Sequence, residues 1–127
     1  MYINKIESYY ILENGEIVGF GSNVNGQLGL GEDVEGSLLP ISIIIGDQDN
    51  PISIASIYCG DMHSAFITIN NDLYTCGDPQ HGRLCRPVTS ETNSKTPHQV
   101  EDFKNTLITK VSIYLHINIY SIYTINL

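Results

Sequence analysis

Short apolar runs rich in β-branched and aromatic residues alternate along the chain with clusters of turn residues. The runs fall at 9–12, 41–45, 52–58, 65–69, 73–76 and 107–113. They are bounded by Asn14-Gly15, Asn25-Gly26, residues 46–51, Asn70-Asn71-Asp72, Asp78-Pro79 and Thr96-Pro97. Runs of this kind between such turns predict strands. No window repeats apolar residues at helical spacing over an ordinary helix length, so the expected class is all-β with short helices at most. In the tail, Val111, Ile113, Leu115, Ile117 and Ile119 alternate with Ser112, Tyr114, His116, Asn118 and Tyr120. That pattern predicts one strand or a hairpin with a single buried face. The stretch carries no formal charge and no proline, so an open edge there would favour self-association.

The chain also repeats itself. At an offset of 56, Ser8-Tyr9-Tyr10-Ile11-Leu12-Glu13-Asn14-Gly15-Glu16-Ile17-Val18-Gly19-Phe20-Gly21 falls without gaps on residues 64–77, and both read strand, turn, strand, glycine. Gly26-Gln27-Leu28 meets Gly82-Arg83-Leu84 at the same offset, and Pro40 meets Pro97 at 57. Residues 107–111 face 53–57 at an offset of 54. The expected units are 1–56, 57–110 and a partial third repeat or diverged tail over 111–127. Each has the content of a small antiparallel meander, which buries both faces only by stacking on copies of itself. The second unit reads Cys85-Arg86-Pro87 where the first has Gly29-Leu30-Gly31. Two glycines suited to positive φ are lost, so its turn is expected to be built differently.

Charge narrows the partners. Fourteen Asp plus Glu stand against six Lys plus Arg, a net charge of −8. No Lys or Arg lies between Lys5 and Arg83, so direct nucleic-acid binding by this stretch is not expected. Glu32, Asp33 and Glu35 in one segment and Asp47 with Asp49 in another are the candidate partner-binding residues, where acids would steer a basic protein. The alternative is that they are plain solvated loop residues.

Three cysteines suit reduced thiols in an intracellular protein, cytoplasmic or nuclear. Neither a secretion signal nor a membrane span is expected. A rival reading takes Cys59, His63, Cys76, His81 and Cys85 as ligands of a small zinc-stabilised interaction module, from their Cys-x3-His and Cys-x4-His-x3-Cys spacings. Asp47-Gln48-Asp49-Asn50 opens like a calcium loop, but Pro51 follows and the sixth place holds no glycine. No base, nucleophile or acid cluster accompanies His63 in the sequence, so no catalytic residue and no cofactor are expected.

The segments Gly21-Ser22-Asn23-Val24-Asn25-Gly26-Gln27-Leu28-Gly29-Leu30-Gly31 and Cys59-Gly60-Asp61-Met62-His63-Ser64-Ala65-Phe66-Ile67-Thr68 resemble the two halves of the regulator of chromosome condensation repeat. The resemblance implies antiparallel propeller-type blades, here about two of the seven usual in the family. Where members usually carry Trp before the glycine, this chain has Phe20-Gly21 and Cys76-Gly77. The resemblance also implies that His63 is a repeated structural histidine, hydrogen-bonded to backbone within the blade. The founding member is a guanine-nucleotide exchange factor for the small GTPase Ran that also docks on nucleosomes, and most relatives are interaction modules. The function implied is protein binding without covalent chemistry, with a small GTPase or a basic chromatin protein as partner.

Overall fold

The computed structural model describes residues 2–3, 7–104, 107–114 and 117–125. Four strands, β1 (Tyr2–Ile3), β2 (Glu7–Ile11), β3 (Ile17–Ser22) and β4 (Gly36–Ile43), form a first antiparallel sheet in chain order. A ribbon of β5 (Gly46–Asp47) and β6 (Asn50–Pro51) leads to a second sheet of β7 (Ile54–Cys59), β8 (His63–Thr68) and β9 (Leu73–Gly77). A one-turn helix α1 (Glu91–Lys95) precedes the fourth strand of that sheet, β10 (His98–Gln99). Beyond it, β11 (Leu107–Tyr114) and β12 (Ile117–Ile125) pair as an antiparallel hairpin. The tail is thus a hairpin rather than one strand.

The two sheets carry the same register. Glu7 faces Gly21 and Ile11 faces Ile17 in the first, while His63 faces Gly77 and Ile67 faces Leu73 in the second, each 56 residues on. The fourth strands correspond at 57, with Ile41 opposite Gly19 and His98 opposite Thr75. A one-residue slip would turn the buried Ile17 and Leu73 to the opposite face, so burial fixes this register in both copies. Both hairpin turns close with the same pair of bonds, Leu12 N to Glu16 O and Gly15 N to Leu12 O in one, Thr68 N to Asp72 O and Asn71 N to Thr68 O in the other. Asn71 takes the positive φ that Gly15 takes in the first copy.

The expectation of a differently built turn divides between the two substituted glycines. At the first, Cys85 itself adopts φ 56 where Gly29 has φ 79; at the second, Gly31 with φ 86 gives way to Pro87, whose ring holds φ negative, so the turn departs there. Cys85 N bonds Gly82 O at 3.0 Å, as Gly29 N bonds Gly26 O at 3.0 Å. The bond to Gly82 and packing against the second core hold a non-glycine residue in the left-handed region, at about 1–2 kcal/mol of local strain.

Between the sheets lies a core of Tyr9, Ile17, Leu28, Ile43, Ile45, Ile54, Ile57, Phe66 and Cys76, in which Tyr9 meets Phe66 edge-on. A second core places Ala65, Ile67, Leu73 and Val100 against Ile108 of β11. Every residue of β8 is buried, because that strand has packed layers on both of its sides. Among the described residues the first sheet is covered on one face only, and Tyr10 stacks on Phe20 on the other. Its strand β4 starts earlier than the apolar run at 41–45 suggests. Pairing jumps from Ile41 to Ser37 across a bulge that projects Leu38 and Leu39 outward. Among the described residues no helix is long and apolar enough to cross a membrane.

Candidate functional site

Asn23 organises the loop that carries the first group of acids. Its buried amide donates from Nδ2 to Gly31 O at 3.0 Å and to Val34 O at 2.6 Å, and its Oδ1 accepts from Leu28 N at 3.0 Å. Its backbone N–H donates to Glu35 O at 2.7 Å. The loop is fixed from within, while the side chains of Glu32, Asp33, Val34 and Glu35 face solvent. The second unit supports it from outside: Gly31 N donates to Lys95 O at 3.0 Å, and Thr92 Oγ1 donates to Glu32 Oε1 at 2.7 Å. Gly26 needs its missing side chain, since a Cβ there would lie 2.4 Å from Lys95 Cα.

Arg86 secures α1, which makes those contacts. Its guanidinium donates to Thr75 Oγ1 and O at 3.1 and 3.0 Å and to Asn93 Oδ1 and O at 2.7 and 2.9 Å. Burial in this neutral setting lowers its pKa. Ser90 caps the helix by accepting from Asn93 N at 3.1 Å, and Lys95 pairs with Glu91 at 2.9 Å.

The second group of acids sits on the β5–β6 ribbon, where Asp47 and Asp49 are exposed. Asp47 lines a groove of about 330 Å³ together with Tyr74, Pro97, His98, Gln99 and Glu101. The pairing of Gln99 with Tyr74 in the ladder brings the last of these alongside. Burial, then the charges of Asp72 and Glu101, raise the Tyr74 phenol above its ordinary pKa. The five predicted acids therefore stand as two groups, one in the loop that meets Thr92 and Lys95 and the other on the ribbon beside segment 97–101. No local pattern marks Tyr74 or Glu101 as part of the second group, because strand pairing joins them.

The two sheets are joined at the carbonyl of Gln27. The Tyr9 hydroxyl and the Ser64 hydroxyl both donate to it, Ser64 at 2.8 Å, and the Cys76 sulfur lies 3.6 Å away. Tyr9 Oη and Ser64 Oγ are 3.0 Å apart.

Two site expectations are overturned. His63 is fully buried, but neither ring nitrogen has a hydrogen-bond partner among the described residues, contrary to the backbone bond expected of it. Desolvation, reinforced by Arg83 and opposed by Asp78 and Asp61, lowers its pKa to about 4, so the ring is neutral at neutral pH. The zinc alternative required Cys59, His63, Cys76, His81 and Cys85 to converge. Among the described residues no three His, Cys, Asp or Glu side chains are placed to hold a metal ion. The strand pairing that buries Cys76 in the inter-sheet core leaves His81 exposed on the loop beyond it.

A regulator of chromosome condensation (RCC1) repeat profile matches residues 14–67, and a second profile of the same repeat matches residues 54–83. The chain belongs to the regulator of chromosome condensation repeat family. Within that family it is similar to the X-linked retinitis pigmentosa GTPase regulator of Canis lupus familiaris, at 39% identity over 80% of this chain and 10% of the relative. It is also similar to the Protein RCC2 homolog of Xenopus laevis, at 34% identity over 58% of this chain and 14% of the relative. The chain thus spans about a tenth to a seventh of these relatives. In fold it resembles Prp20p from Saccharomyces cerevisiae, a structure described with that protein's binding properties to Gsp1p and histones. The TM-score is 0.73 at 21% identity, covering 90% of this chain and 28% of that one. The two four-stranded sheets are accordingly blades of an incomplete RCC1-type propeller.

Proposed function

We propose that this chain is a protein-interaction module of the RCC1 type that engages a basic protein partner and catalyses no covalent chemistry. The units 1–56 and 57–110 are its working blades, with 111–127 as a partial third, and it acts inside the cell, in cytoplasm or nucleus. The observation that carries this reading is the acidic loop held by Asn23. Four hydrogen bonds fix its backbone before any partner arrives, so Glu32, Asp33 and Glu35 are presented with little ordering left to do. The net charge of −8 supplies long-range attraction for a cationic surface. The binding of Prp20p to Gsp1p and histones supports testing a small GTPase and a basic chromatin protein first.

The test is titration of the chain with purified core histones and with a Ran-type GTPase. The expected result is binding that weakens as salt rises and falls about tenfold in Asp33→Lys/Glu35→Lys, whose side chains are exposed and leave the fold alone. Binding indifferent to both changes would overturn the reading. Guanine-nucleotide exchange is the finer form of it, and absence of accelerated nucleotide release would remove exchange from this chain.

A further inference from the structure

The groove between the β5–β6 ribbon and segment 97–101 lies apart from the acidic loop and borders the inter-sheet core at Tyr74. It is lined by Gly46 and Asp47 of the ribbon, by Pro97, His98, Gln99 and Glu101, and by Tyr74, which pairs with Gln99. Tyr74 is half-buried with its ring packed against the inter-sheet core, so its position is set by packing rather than by solvent. An open groove that offers an aromatic and a proline for an alkyl stem and the carboxylates of Asp47 and Glu101 for a cation has the chemistry of a receptor for one long basic side chain.

We propose that this groove takes a lysine or arginine side chain of the partner, its stem on Tyr74 and Pro97 and its cation between Asp47 and Glu101. The proposal rests on the basic-partner reading above and names the position at which that partner is gripped. His98 does not compete for the carboxylates as a cation, because burial and then the charge of Arg86 lower its pKa. Lys104 does compete, at 3.8 Å from Glu101, but that pair is exposed and weak enough to be displaced.

The experiment is a two-dimensional NMR titration of the full 127-residue chain with hexalysine, hexaarginine and hexaglutamine. The expected result is that the cationic peptides, and not hexaglutamine, shift the resonances of Gly46, Tyr74 and Gln99. Affinity should fall about tenfold in Asp47→Asn/Glu101→Gln and in Tyr74→Ala, and stay near the parent value in Tyr74→Phe. Tyr74→Phe shows whether the ring suffices without its hydroxyl, and unchanged resonances away from the groove in Tyr74→Ala separate loss of the ring from loss of the fold. Cationic shifts confined to residues 32–35, or equal affinity in parent and Asp47→Asn/Glu101→Gln, would overturn the groove while leaving the basic-partner reading standing. No preference for cationic peptides anywhere would sink both.

Discussion

Acidification should loosen this protein through His63. The ring is fully buried, with no hydrogen-bond partner for either nitrogen among the described residues, and its pKa is lowered from 6.5 to about 4. Between those two values an unfolded chain takes up a proton that the folded chain refuses. Stability therefore rises with pH in this window: it is complete above 6.5, falls as the pH drops toward 4, and changes no further from this source below that. At about 1.4 kcal/mol per unit, the full interval is worth about 3 kcal/mol, a large share of the stability of a small domain. Carboxylates also titrate near the lower end, and Asp61 and Asp78 face the ring along with Arg83. The measurement is therefore a difference, comparing urea unfolding of the parent and of His63→Phe across the window, followed by far-ultraviolet circular dichroism. The variant should gain on the parent by about 3 kcal/mol between pH 6.5 and 4, and be no less stable at neutral pH, where it removes an unpaired buried polar group. Stability curves that run parallel in the two proteins would refute the reasoning.

Two further substitutions test how the units meet. Gly26 and Gly82 occupy equivalent places with φ +78 and +67, but a Cβ on Gly26 would lie 2.4 Å from Lys95 Cα, and one on Gly82 has nothing within 4 Å. Gly82→Ala should cost about 1 kcal/mol and Gly26→Ala about 3 or more, read from urea midpoints; equal losses would show that the second unit does not press on the first. At the Gln27 carbonyl, Tyr9→Phe and Ser64→Ala should each cost about 1–2 kcal/mol, and the double variant about 0.5 kcal/mol or more less than their sum. Strict additivity in that cycle would mean the two hydroxyls do not act on one acceptor.

Much of the architecture could be read before the coordinates because the repeat fixes local pattern, turn and strand together. The gapless match of 8–21 with 64–77 became the same ladder in both sheets, Glu7 opposite Gly21 through Ile11 opposite Ile17 and His63 opposite Gly77 through Ile67 opposite Leu73. What escaped was decided by neighbours distant in sequence. Cys85 is a poor residue for a left-handed turn, yet its bond to Gly82 and its packing on the second core impose one. β10 is two residues long, too short for any periodicity, and exists because His98 and Gln99 find Thr75 and Tyr74. That same pairing carries Glu101 to Tyr74 and Asp47, which is why the acids were visible as residues but not as the wall of a groove.

The unequal covering of the two sheets has a consequence for how mutational or evolutionary tolerance should be interpreted. Tyr10 and Phe66 are the same position of the repeat, but one is 38% exposed and the other 0%. Leu12 and Thr68 differ in the same way, at 42% and 1%. Within the described residues, a consensus averaged over both copies would blend a partly exposed site with a buried one, so each copy must be scored by its own burial. Substitutions of Phe66 should be the ones that cells eliminate.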